Sequence, residues 1–191
     1  VRVGDPFDAA TEIGPLIHPG HHAKVMRYLQ VGTDEGARLA ADGAGLPGNY
    51  VAASLFVDVE PSMRIAREEI FGPVLAAIPF DDESDALRIA NEVDYGLAAY
   101  LFTSDVARAH RVAQALDVGM VWVNSHNVRD LRSPFGGVKA SGLGNEGGYR
   151  SIDFYTESQA VHITLGDVHT TRFGATGYSD ADPALGHLGG K

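Results

Sequence analysis

The chain has 191 residues, enough for one domain with its own core, and 45% are hydrophobic, which excludes a disordered chain. Its 25 acidic residues outweigh 15 basic ones, and a net charge of −10 argues against a nucleic-acid partner, because phosphate binding needs a basic surface. It has no cysteine, so a disulfide framework, a thiolate metal site and a cysteine nucleophile are excluded within these residues.

No apolar run approaches a membrane span and no signal peptide is visible, so a cytoplasmic protein without a membrane partner is expected. The chain opens at Val1 in loop-like sequence, as expected of a fragment, a cleaved product or a misassigned start. Gly4-Asp-Pro-Phe7, Gly14-Pro15 and Pro19-Gly20 give residues 1–19 turn chemistry. Val25, Tyr28, Leu29 and Ala37 then fall at helical spacing and predict an amphipathic helix over 21–36. A short strand over 37–41, a glycine-rich turn over 42–49 and a strand over 50–59 follow, and 61–69 crosses the surface. Residues 74–80 are strand-like. Asp82-Glu-Ser-Asp85 opens a helix to about Glu92, its acids suiting the positive end of the helix dipole, and Tyr95-Gly96 breaks the pattern. After a strand over 98–103, Ser104-Asp105 caps a helix with Val106, Ala109, Val112, Ala113 and Leu116 on one face. The β-branched run 119–124 is a buried strand. This alternation predicts an α/β fold with an open, largely parallel, doubly wound sheet. Residues 159–165 alternate as an exposed or edge strand would, and 166–191 reads as an irregular tail.

In such a sheet, ligands sit in the loops at the carboxyl ends of strands, which places specificity between Asn124 and Phe135. Arg129 and Arg132 lie three apart there; guanidinium groups bind carboxylates in bidentate fashion, so the pair either recognises an acidic substrate or pairs with Asp130 or a neighbouring acid. In Arg67-Glu68-Glu69-Ile70-Phe71-Gly72-Pro73, a carboxylate could accept two sugar hydroxyls and the ring could pack on a flat heterocycle; the plainer reading is a solvated acid pair and a core phenylalanine. His18, His21 and His22 lack metal-ligand spacing, so no metal site is expected. The glycines over 136–148 lack the context of a phosphate loop and read as a tight backbone passage shaping a pocket wall.

Taken together, Glu68-Glu69-Ile70-Phe71-Gly72-Pro73-Val74, Tyr95-Gly96-Leu97-Ala98-Ala99, Gly119-Met-Val-Trp-Val-Asn124 and Ser133-Pro134-Phe135-Gly136-Gly137 resemble the NAD(P)-dependent aldehyde dehydrogenase superfamily over roughly residues 1–165. Within it, Asn124-Ser-His-Asn-Val-Arg-Asp-Leu-Arg132 most resembles the 5-carboxymethyl-2-hydroxymuconate semialdehyde dehydrogenases of aromatic catabolism. The resemblance implies NAD as cofactor, with Glu69 bonding the nicotinamide ribose, Phe71 packed near it, and His21 and Lys24 near the adenine ribose. Relatives often carry glutamine where His21 stands. It implies Arg129 and Arg132 as clamps for substrate carboxylates, Phe135 as a wall of the substrate tunnel, and Asn124 and Ser133 as further substrate-contacting positions. The implied organisation is a partial catalytic domain over 1–157, an oligomerisation strand over 158–165 and the tail over 166–191. The complete protein would be a homo-oligomer, dimer or tetramer, acting on a small acidic aldehyde.

The family reaction needs a cysteine thiolate to attack the aldehyde, hydride transfer to the nicotinamide, and a glutamate to activate water. By the resemblance, both residues lie upstream of Val1, so no catalytic residue is assigned here and the chain alone is expected to be inactive. The other reading is a non-catalytic remnant that acts as a binding or assembly module.

Overall fold

The computed structural model describes residues 1–41 and 44–166. Two compact units are distinguished, Val1–Phe154 and Tyr155–Lys191.

In the first unit, α1 (Pro19–Asp34) begins where Pro19 fixes its own backbone and the Nδ1 atom of His18 accepts from the His21 N–H at 3.1 Å. The helix starts two residues before the periodicity predicts, because this cap is polar. Its inner face buries Val25, Tyr28, Leu29 and Gly32. These pack with Ala37, Val51, Phe56, Val59, Ile65 and Ile70 to form the core. Gly32 is where α1 comes nearest the sheet, since a Cβ there would sit 2.9 Å from Cζ of Phe56.

That sheet joins β1 (Arg38–Ala41), β2 (Ser54–Val57) and β3 (Val74–Ala76). The β2–β3 pair is parallel, from Ser54 opposite Val74 to Phe56 opposite Ala76. Its crossover contains α2 (Arg64–Arg67), a helical turn that buries Ile65 where the sequence suggested a surface crossing. Strand β1 adds antiparallel at the edge.

Next come α3 (Glu83–Glu92), β4 (Tyr95–Gly96), β5 (Ala98–Leu101), α4 (Val106–Ala115), β6 (Met120–Val123) and β7 (Val138–Lys139). β5 and β6 pair in parallel from Ala98 opposite Met120 to Leu101 opposite Val123, as a strand–helix–strand crossover dictates. Asp82 caps α3 by accepting from the Asp85 N–H at 2.9 Å, and Asp105 caps α4 by accepting from the Arg108 N–H at 3.1 Å. Glu83 in the first turn of α3 takes bonds from Arg111 at 2.6 and 2.7 Å and from Arg108 at 3.1 Å, tying the two helices together. Val106 is 71% exposed despite its place in the apolar pattern, because it is the first residue of α4 and precedes the turn that faces inward.

The parallel crossovers of an open α/β fold are therefore present, with antiparallel additions at β1 and between β4 and β7. Tyr95-Gly96, expected only to break the helix, is β4 itself. Helix α5 (Gly148–Tyr155) follows Gly147 and Gly148 at φ of 73° and 60°, a glycine start that concealed it in the sequence. In the second unit, residues 156–164 carry no regular secondary structure; an edge strand exists only against a partner, and none is laddered with it among the described residues. The tail expected over 166–191 falls outside the described residues apart from Gly166, as do Asp42 and Gly43 of the predicted turn.

Candidate active site

One face of α1 holds the segment 68–72. His21 Nε2 lies 2.7 Å from the carbonyl oxygen of Phe71, and Lys24 Nζ donates to the carbonyl of Glu69 at 3.1 Å. Tyr28 donates its hydroxyl to Glu68 Oε2 at 2.6 Å. Positions 21, 24 and 28 share a face of the helix, so three successive turns each fasten one residue of the segment. Because Phe71 offers only a carbonyl, His21 donates from Nε2, and its neutral form carries the lone pair on Nδ1. Ile70 is buried in the core, and Gly72 lies against Val25, where a Cβ would meet a methyl at 2.7 Å.

The two glutamates separate cleanly. Glu68 is bound by Arg64 at 2.7 and 2.9 Å as well as by Tyr28. The Arg64 guanidinium, and then the Tyr28 hydroxyl, hold its carboxyl down to about 2. Glu68 is thus a structural fastener. The Glu69 side chain is exposed and has no hydrogen-bond or ion-pair partner among the described residues. Phe71 is 71% exposed and held at a φ of 59°, a left-handed conformation that costs a non-glycine residue roughly 1–2 kcal/mol. So the segment buries Ile70, ties down Glu68 and projects Glu69 and Phe71. A cavity of about 420 Å³ opens beside Glu69, walled by Arg67, Tyr95, Leu97 and Ser141.

The glycine-rich passage is as tight as the sequence suggests. A Cβ on Gly119 would lie 1.8 Å from the carbonyl oxygen of Gly136, so β6 and the returning chain meet backbone to backbone. Lys139 reaches across to the carbonyls of Asn91 at 2.8 Å and Val93 at 3.2 Å, completing the C-terminal end of α3. The Asn91 amide joins α3 to the turn before β6 through Ala115 O and Asp117 N, each at 2.8 Å. Neither Asn91 nor Lys139 stood out in the sequence as a residue with these jobs.

At the carboxyl end of β6 the chain turns through Asn124 at a φ of 52°. Its amide donates to Thr103 O at 2.8 Å and accepts from Thr103 N at 2.9 Å, so Asn124 is occupied with β5. Arg132 is also occupied: it grips Asp130 in bidentate fashion at 2.6 and 2.9 Å. Of the two readings open to the arginines, Arg132 takes the local one. Arg129 does not. Its guanidinium lies 4.1 Å from the centroid of the Phe135 ring, and it has no acidic partner among the described residues. Arg129, Ser133, Phe135 and Trp122 line a cavity of about 230 Å³, distinct from the one beside Glu69. Hence His21, Lys24, Glu69 and Phe71 are brought together; Arg129, Ser133 and Phe135 are brought together; Asn124 and Arg132 do not line either cavity. No group of three metal-ligating side chains is present among the described residues.

The carboxylates fix the direction of the acid response. Glu68, Asp82, Glu83, Asp85 and Asp130 all titrate below the usual carboxylate range, held respectively by Arg64, Ser84, Arg111, Arg88 and Arg132. Each binds its proton less tightly folded than unfolded, so it contributes stability where it is ionised. That contribution is full above the ordinary carboxylate range and is lost as pH falls below it through each lowered value, for Glu68 at about 2. Thermal melts from pH 7 to 2 should show a plateau and then a falling Tm; a Tm that rises on acidification would contradict these pairings.

The family model described as "Aldehyde dehydrogenase family" matches residues 1–161. The chain is 42% identical over 174 residues to the betaine aldehyde dehydrogenase of Sinorhizobium fredii, covering 88% of this chain and 36% of that one. Among solved structures it is similar to HpcC from Thermus thermophilus, at 51% identity and a TM-score of 0.81, over 92% of this chain and 36% of that one. It is also similar to the AldA indole-3-acetaldehyde dehydrogenase of P. syringae in complex with NAD+ and IAA, at 43% identity and a TM-score of 0.79, over 82% of this chain and 32% of that one. The chain spans about a third of the length of these relatives.

Proposed function

The chain belongs to the aldehyde dehydrogenase family, and from that premise we propose that it is the C-terminal portion of an enzyme oxidising an acidic semialdehyde, of the 5-carboxymethyl-2-hydroxymuconate type, to the acid with NAD. The observation that carries the substrate class is Arg129, a guanidinium resting on the Phe135 ring at a cavity wall and paired with no carboxylate among the described residues, since Asp130, which also lines that cavity, is taken by Arg132. A guanidinium lying over a ring keeps its N–H fork in its own plane, free for a carboxylate. The same charge disfavours a quaternary ammonium such as betaine aldehyde. Identity with HpcC also exceeds that with the betaine aldehyde and indole-3-acetaldehyde enzymes named above.

The unpartnered Glu69 carboxylate fits a pair of ribose hydroxyls, and the exposed Phe71 ring fits a flat heterocycle, so these two would hold the cofactor, with His21 and Lys24 on the same face of α1. NAD held there would supply the hydride acceptor for the oxidation. What these 191 residues do is hold and orient. Glu69 and Phe71 present the cofactor surface on a segment that α1 cannot release without breaking three hydrogen bonds. Arg129 and Phe135 hold the substrate, Arg132 orders Asp130, and Ser133 borders the cavity. With no cysteine among them, the nucleophilic thiolate comes from outside these residues. In the complete protein, a homo-oligomer, residues 158–165 would form the assembly strand.

Replacing Glu69 tests the cofactor half. In the complete enzyme, Glu69→Gln should raise the KM for NAD roughly tenfold, because a charge-assisted bond becomes a neutral one. Glu68→Gln should act on thermal stability first, since Glu68 faces Arg64 and Tyr28. Equal effects of the two on the NAD KM would remove Glu69 from the ribose.

A further inference from the structure

The loop that carries Arg129 is fastened to the β5–β6 pair by side chains the proposed reaction does not use. Tyr100 on β5 stacks with Trp122 on β6, at 5.3 Å between centroids and 17° between planes. It stacks also with His126 of the loop, at 4.6 Å and 21°. The Trp122 indole Nε1 donates to the carbonyl of Val128 at 2.8 Å. With Asn124 locked to Thr103, the loop is held at residues 124, 126 and 128, and the next residue is Arg129. Among the described residues, the Arg129 guanidinium rests on the Phe135 ring and has no ion-pair partner. Arginine has many rotamers, and a loop free to move would multiply the conformations lost on capturing a substrate.

We propose that Trp122, Tyr100 and His126 are positioning residues, an aromatic latch that sets the main chain at Val128 so that Arg129 stays on Phe135, ready for the substrate carboxylate. The proposal rests on the reading of Arg129 as the carboxylate clamp. Tyr100 and His126 line neither the cavity beside Glu69 nor the one at Arg129; Trp122 borders the latter, and all three act in this proposal through the backbone of 126–128. Trp122 and Tyr100 sit opposite one another in the register of the parallel pair, so the latch is built into the sheet, while His126 closes it from the loop.

The test is a double-mutant cycle in the complete enzyme. The ratio of kcat/KM for an acidic semialdehyde to that for a neutral aliphatic aldehyde is measured for Trp122→Phe and His126→Ala, each alone and combined with Arg129→Ala. Trp122→Phe keeps a six-membered ring to stack on Tyr100 and removes the N–H donor with the rest of the indole. His126 is exposed, so its variant keeps the proposal testable should the tryptophan variant fail to fold. Each single variant is expected to lower the ratio roughly three- to tenfold, the effect of one lost hydrogen bond or ring contact. Neither should lower it further once Arg129 is gone. A fall that persists in the Arg129→Ala background, or no fall in either single variant, overturns the latch. If Arg129→Ala alone leaves the ratio unchanged, the clamp reading fails and the latch falls with it, an outcome distinct from the first two.

Discussion

Arg129→Ala in the complete enzyme is expected to raise the KM for an acidic semialdehyde roughly 30- to 160-fold and to change that for a neutral aldehyde little. The size follows from losing a charge-assisted, bidentate contact worth roughly 2–3 kcal/mol, at about 1.36 kcal/mol per factor of ten. The selectivity follows from what the guanidinium touches: an aromatic face and, among the described residues, no carboxylate. Arg132→Ala should do less, because Arg132 already commits its fork to Asp130 and reaches the substrate only through the order of the loop. Arg129→Lys should recover only part of the loss, since an ammonium offers a point charge and neither stacks nor forks. Steady-state kinetics on the two aldehydes decide it: equal KM changes for both would remove the carboxylate contact, and a larger effect at Arg132 would reverse the assignment within the pair.

The second large effect is on stability. Phe56 is fully buried, packed under α1 at Gly32 and against Ile65. Phe56→Ala should cost roughly 3–5 kcal/mol, transfer and cavity terms together, a large share of the roughly 5–15 kcal/mol that holds a typical domain folded. Leu75, one strand away, is 65% exposed, and Leu75→Ala should fall within about 0.5 kcal/mol. Denaturant midpoints of the two variants check the contrast. Similar midpoints would mean that the core does not lie between α1 and β2. The same experiment bears on the cofactor side, because Val25 and Tyr28 in that core share a helix with His21 and Lys24.

Local signals were legible in the sequence and pairings distant along the chain were not. Asp82 and Asp105 announced their helices because a cap is read within three residues. The parallel order of β5–β6 followed from the helix between them, whereas the turn of α2 between β2 and β3 was read as a surface crossing. Glu68 and Glu69, by contrast, are chemically equivalent neighbours in sequence. Arg64, four positions before Glu68, and Tyr28, forty before it, separate the fastened carboxylate from the projecting one. Asn91 and Lys139 are 48 apart and gave no local sign of their contact. Of the arginines, the Arg132–Asp130 pair was visible as one of two local possibilities. The resting place of Arg129 on Phe135 depended on how a polar loop closes, which composition does not encode. Helix α5 was hidden because glycines begin it. Tyr28 and Trp122 were read as core and strand residues, and nothing in their sequence neighbourhoods reveals the bonds to Glu68 and Val128.

These residues are proposed to serve an enzyme selective for an anionic aldehyde. The most direct measurement is NADH formation by the complete protein with the 5-carboxymethyl-2-hydroxymuconate semialdehyde, betaine aldehyde and indole-3-acetaldehyde, run beside these 191 residues alone. The account predicts that kcat/KM for the acidic semialdehyde exceeds the other two by at least roughly tenfold, the margin of one charge-assisted contact, and that the 191 residues alone give no turnover. A preference for betaine aldehyde, or turnover by a chain without a cysteine, would contradict it.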